Sequence, residues 1–176
     1  AGRRLEQFIA LAGQFGAKVI IGCMRGNLSK PEELPAALER LGRSMAHLDE
    51  AAGREGVEIV FEPTNRYENN FLCTMADISG FVRTHGLKHT GLLIDTFHMN
   101  IEEDHIGAAI RASKGYLGHF HMGECNRKVP GRGHMPWDEM MRALADIGYD
   151  GGIVMEPFVK PGGQVGQDIK VFRDLS

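Results

Sequence analysis

The chain carries no excess of positive charge. Its 20 Lys and Arg face 23 Asp and Glu, a formal net charge of −3 over 176 residues, and no long basic run occurs, so the electrostatic footprint of a nucleic-acid binder is missing. No apolar stretch nears the roughly 20 residues of a membrane helix. The opening AGRRLEQFIALAG has the pattern of an amphipathic helix without a signal-peptide core. These absences predict a soluble, cytoplasmic protein with no nucleic-acid or membrane partner. Only three cysteines are present, Cys23, Cys73 and Cys125, odd in number and far apart, which fits reduced thiols rather than a disulfide framework or a CxxC knuckle. GxSxG, a P-loop and a dinucleotide glycine fingerprint are absent as well, and Cys125 has no recognisable base.

What is present is a regular alternation. With 43% hydrophobic residues the chain can bury one substantial core, so residues 1–176 are read as a single domain. A helix over about Arg3 to Phe15 precedes the short apolar run AKVIIG. Ser29 and Glu32 stand at capping-box spacing, with Pro31 in the first turn of a helix whose stripe is Leu34, Leu38, Leu41, Met45, Leu48 and Ala52. Gly53 and Gly56 end it, and VEIVFE follows as a buried strand. Helices near Thr74 to Thr84, His105 to Ser113 and Pro136 to Ile147 precede TGLLIDTFHM, GYLGHFHMG and GGIVMEPF, making five strands.

Four of these strands end on a side chain that can hold a metal: Glu62, Asp95, His121 and Glu156, at intervals of 33, 26 and 35 residues. Such intervals are close to one βαβ unit of roughly 30 residues. In a (β/α)8 barrel, active-site groups come from the C-terminal ends of several strands. Three carboxylates and one imidazole suit a divalent, oxygen-preferring ion. His119 lies two residues before His121 and shares its face; it is read as a hydrogen-bonded core histidine.

Polar groups follow each strand end: Asn65, Arg66 and Glu68 after Glu62, His98 and Asn100 after Asp95, Glu124, Asn126 and Arg127 after His121. They lie where strand-to-helix loops would line a pocket for a polyhydroxylated ligand. Arg66 is alternatively a surface partner of Glu68. In VPGRGHMPW the glycines either reverse the chain or approach a ligand, with Arg132 and His134 within reach of a phosphate, and Trp137 and Asp138 anchor the next helix start.

The predicted fold class is α/β, a (β/α)8 TIM barrel of which about five strand-helix units are present. Such barrels take about 250 residues, so the chain is expected to be the C-terminal part of one, without the first three units and without the final helix, the segment DIKVFRDLS standing where that helix would begin. A doubly wound open sheet of five strands is the alternative.

The segments EPTNRYE, DTFHMNIEE, GHFHMGECNRKVPGRGHMPWDE and IVMEPF, with the trailing VGQDIKVFRDLS, resemble the D-tagatose 3-epimerase and D-psicose 3-epimerase group of the xylose-isomerase-like TIM barrels. The resemblance runs from about residue 57 to the end, and Thr64 and Tyr67 depart from it. It implies a Mn2+ ion, with Mg2+ or Co2+ as substitutes, held by Glu62, Asp95, His121 and Glu156, and a ketose held by Glu68, His98 and Arg127. It also implies inversion at C3 through a cis-enediolate, with Glu62 and Glu156 as the acid and base pair. A homo-oligomer, dimer or tetramer, is the expected assembly. The alternatives are another isomerase of the same superfamily, of aldose-ketose or hydroxypyruvate type, an endonuclease-IV-like metal hydrolase, or a binding module without catalysis.

Overall fold

The structure, a computed structural model, describes residues 2–158. Five parallel strands form one sheet in sequence order: β1 (Val19–Ile21), β2 (Ile59–Phe61), β3 (Thr90–Asp95), β4 (Leu117–Met122) and β5 (Ile153–Met155). Six helices alternate with them: α1 (Gly2–Phe15), α2 (Leu34–Glu55), α3 (Met75–Thr84), α4 (Thr96–Glu102), α5 (Ile106–Ala112) and α6 (Trp137–Ile147). The strand order never reverses, and a doubly wound sheet requires a reversal. The chain has the TIM-barrel fold, present as a five-stranded arc of the barrel. Segment 168–176, where a closing helix was expected to begin, lies outside the described residues.

Period-two alternation sorts the strand residues onto two faces. Ile59, Phe61, Leu92, Ile94 and Phe120 point outward into the helix layer and are fully buried there. Val60, Leu93 and the four strand-end polar residues take the concave inner face. All six residues of β3 are buried, as befits a central parallel strand covered on both sides. Between Leu92 and Leu93 the register with β4 slips by one residue at Gly118. The slip brings His121 opposite Asp95, so a bulge helps to set the site.

Helix boundaries follow local chemistry. Thr74 and Asp77 form a reciprocal capping box at α3, and α2 stops at Gly56, whose φ of 64° is left-handed and suits glycine. One expectation fails here: Ser29 and Glu32 do not cap α2, since Pro31–Glu33 forms a separate 3-10 turn and the Glu33 carboxylate accepts the Ser29 N–H at 3.0 Å. The strand TGLLID ends at Asp95 as expected, but a helix follows it in place of a loop, because the Asp95 side chain accepts the Phe97 N–H at 2.8 Å and starts α4.

Candidate metal centre

Each of the four strand-end residues closes a strand's ladder or follows it directly. The Glu62 N–H donates to Ile21 O at 2.8 Å and the Glu156 N–H to Met122 O at 3.0 Å, extending the parallel pairing one residue past β2 and β5. Asp95 and His121 are the register partners that end the β3 and β4 pairing. One ligand-type atom from each of Glu62, Asp95, His121 and Glu156 lies within 4.8 Å of the others. The first strand supplies no ligand at this level. It supplies Gly22, and a Cβ there would stand 2.8 Å from Glu62 Oε2; the missing side chain is the space the carboxylate uses.

The charges do not balance within the protein. Three carboxylates face one guanidinium: Arg127 Nη1 lies 2.7 Å from Asp95 Oδ2 and 3.3 Å from Glu156 Oε2. Burial, then the negative charges of Asp95 and Glu156, push Glu62 up to about 8. Burial, then a hydrogen bond and charge repulsion from Asp95, push Glu156 up to about 7. Burial lowers His121 and His98, which favours neutral imidazoles. His121 Nδ1 is buried with no hydrogen-bond partner, although Glu156 Oε2 is 3.2 Å away. A neutral imidazole nitrogen and three carboxyls whose ionisation leaves two negative charges uncompensated fit a divalent cation.

Around this cluster stand the other polar residues. Asn65 Oδ1 accepts the Tyr67 N–H at 2.9 Å, which turns its Nδ2 toward His98 Nδ1 at 2.8 Å. The Asn65 backbone N–H also donates to Nδ1, at 3.2 Å. His98 Nε2 faces the Arg127 Nη2 donor at 3.3 Å, Glu62 Oε1 at 3.8 Å and Asp95 Oδ2 at 3.9 Å. Glu68 Oε1 is 4.0 Å from His98 and its Oε2 accepts from the Cys23 thiol at 3.1 Å. Arg127, 8% exposed, adopts a positive φ of 58° and lies between the Phe97 and Phe158 rings at 4.3 and 4.6 Å. Glu68, His98 and Arg127 are thus gathered beside the four strand-end residues.

Other expectations end differently. Arg66 pairs with Glu102, Nε to Oε1 at 2.9 Å, and not with Glu68. His119 is half-buried, its ring edge-on to His121 at 5.0 Å, and makes no hydrogen bond among the described residues. Asn100 is exposed on α4. Asn126 and Glu124 build the following loop: Asn126 donates to Arg132 O, and Glu124, fully buried, accepts from Gly131 N, Met135 N and Trp137 Nε1. Trp137 therefore anchors its helix as expected. Asp138 is exposed, its carboxylate 3.8 Å from Arg142.

Sequence reasoning missed Arg25. It bonds the carbonyls of Gly22, Glu62, Phe71 and Leu72 and the Thr64 hydroxyl, tying the loop after β1 to the loop after β2. Only its place just past a strand end pointed to it. The aromatic clamp on Arg127 was equally hidden, since Phe97 and Phe158 lie on either side of it in sequence, 30 or more residues away.

Among the described residues no helix is long and apolar enough to cross a membrane. A D-psicose 3-epimerase of Ruminiclostridium cellulolyticum is 52% identical over 138 residues, 78% of this chain and 47% of that protein. One from Agrobacterium fabrum is 54% identical over 121 residues, 69% of this chain and 42% of that protein. The chain thus spans less than half the length of these curated relatives. The crystal structure of the Clostridium cellulolyticum H10 D-psicose 3-epimerase with D-tagatose superposes with a TM-score of 0.84 at 42% identity, covering 99% of this chain and 62% of that one. The sequence profile of the xylose isomerase-like TIM barrels matches residues 1–175, and the chain belongs to that family.

Proposed function

We propose that the protein is a metal-dependent ketose 3-epimerase acting on free ketoses of the psicose and tagatose type. One observation carries the reading: Glu62 and Glu156 rise from strands β2 and β5, on either side of Asp95 and His121, and reach the same small space. The names of the relatives support the substrate class.

Glu62, Asp95, His121 and Glu156 would hold a divalent cation, Mn2+ or in its place Mg2+ or Co2+. Such an ion would supply Lewis acidity toward the sugar oxygens at C2 and C3. The chain's own residues do the rest. One glutamate takes the C3 proton from one face of the sugar, and the other returns a proton from the opposite face, which inverts the centre through a cis-enediolate. Both carboxyls are raised by burial and by the Asp95 carboxylate toward neutral pH, the range in which acid and base exchange roles. The His98 imidazole, the Arg127 guanidinium and the Glu68 carboxylate give polar partners for the sugar hydroxyls.

In this reading residues 1–176 are the C-terminal part of a single barrel domain in a cytoplasmic homo-oligomer. Exposed apolar side chains at the two ends of the arc, Phe8 and Phe15 on α1 and Ile153 and Val154 on β5, support further covering surfaces there. The test of the reaction is exchange of the sugar's C3 hydrogen with solvent. Full-length protein with Mn2+ in D2O, given D-psicose or D-tagatose, is expected to place deuterium at C3. Exchange confined to C1 would identify an aldose-ketose isomerase instead, and no exchange at either carbon would remove the epimerase reading.

A further inference from the structure

The four ligand-type residues already have a cationic neighbour. Asp95 has two carboxylate oxygens, and Oδ1 is committed to the Phe97 N–H at the start of α4. Its other oxygen, Oδ2, is the one left for a cation, and Arg127 Nη1 stands 2.7 Å from it. The same Nη1 lies 3.3 Å from Glu156 Oε2, the oxygen that also faces His121 Nδ1. A second cation at these oxygens would have to share them with a guanidinium.

We infer that Arg127 is a built-in counter-cation of the acidic cluster, and that a divalent cation binds in competition with it. The inference rests on the reading of the cluster as a metal centre. Three observations carry it beyond that reading. Arg127 takes the one uncommitted Asp95 oxygen. Its Nε and the His121 Nδ1 are both buried without hydrogen-bond partners, so the arrangement leaves donor and acceptor capacity unused within the cluster. The guanidinium carbon lies 4.3 Å from the Phe97 ring centre and 4.6 Å from that of Phe158, which keeps its charge beside the cluster.

Coulomb's law gives the sign. Without a divalent ion, Arg127 offsets part of the repulsion among Glu62, Asp95 and Glu156 and stabilises the fold. With one, the two positive charges repel at close range, and Arg127 and the ion contend for Asp95 Oδ2. The coupling is reciprocal: what Arg127 gives to the metal-free protein it takes from metal affinity. Surrender of Asp95 and Glu156 to an ion also releases Nη1 to a ligand, so the sugar is expected to bind after the metal.

The test measures Mn2+ affinity by titration calorimetry and metal-free melting temperature in the full-length protein and in Arg127→Gln. The variant is expected to melt lower without metal and to bind Mn2+ about tenfold tighter or more, because a neighbouring positive charge and a competitor are removed together. A folded variant with unchanged or weaker Mn2+ affinity overturns the inference while wild-type Mn2+ binding leaves the metal centre standing. Wild-type protein that takes up no Mn2+ overturns both. Should Arg127→Gln not fold, crystal structures of the wild type with and without Mn2+ decide: the Arg127 to Asp95 contact is expected to be within hydrogen-bond distance without the ion and broken with it. A contact kept in both overturns the inference.

Discussion

Asp95 and His121 are register partners at the ends of β3 and β4, and the one-residue slip at Gly118 is what sets them opposite each other. Without the slip, His119 and His121 would meet different β3 residues, and the imidazole would not face the carboxylate. The candidate metal centre is therefore a consequence of sheet register as much as of residue identity.

Removal of either proposed proton carrier should stop the chemistry and spare the fold. Glu62→Gln and Glu156→Gln keep the shape and lose the basic oxygen, and each is expected to lower kcat by about 10² to 10⁴. Deuterium incorporation at C3 and far-UV circular dichroism on the same samples check both halves of the expectation.

The raised carboxyls make metal-free stability depend on pH. For Glu62 and Glu156 the folded values, about 8 and about 7, lie above the ordinary 4.5. The folded state therefore holds protons that the unfolded chain releases. Their contribution is fully present below the ordinary value and is lost as pH rises through 7 and 8. The metal-free melting temperature is expected to fall over that window, and saturating Mn2+ to flatten the decline as the ion replaces the protons. Thermal scans from pH 5 to 9 with and without Mn2+ measure it. A melting temperature that rises over the window in chelated protein would contradict the charge account.

Gly22 should tolerate a methyl group poorly for a reason that is local to the site. Its φ of −129° is outside the left-handed region, its ψ of −109° lies between the regions that residues with a Cβ favour, and the new Cβ would press on Glu62 Oε2 at 2.8 Å. Mn2+ affinity is expected to drop by about 10- to 100-fold, as for other changes that misalign a ligand. Calorimetric titration gives the affinity, and an unchanged metal-free melting temperature would separate the effect from misfolding.

Glu124 is a structural counterpart to these. Its buried carboxylate accepts from Gly131 N, Met135 N and Trp137 Nε1. Glu124→Ala would leave three donors without that acceptor and is expected to cost about 3 kcal/mol. Urea unfolding of metal-free protein is the measurement, and a loss below 1 kcal/mol would show that water replaces the carboxylate.

The four strand-end residues were legible because a buried parallel strand is a short apolar run with a sharp end, and Glu62, Asp95, His121 and Glu156 each stand at such an end. Helix α4 was not, since Asp95 serves as both site residue and N-cap, and the polar residues of TFHMN after a strand end read as a strand-to-helix loop. The Ser29 and Glu32 pattern misled because Pro31 favours a tight turn as readily as a helix start. Arg25, the Arg127 clamp and the Arg66 to Glu102 pair depend on contacts between segments 30 or more residues apart, and no local pattern encodes those.

The most direct measurement is anomalous scattering from crystals of the full-length protein grown with Mn2+. One ion per chain is predicted, bounded by Glu62, Asp95, His121 and Glu156 at about 2.0 to 2.3 Å. No anomalous peak among these four side chains, or a peak that leaves two of them uncoordinated, would contradict the account.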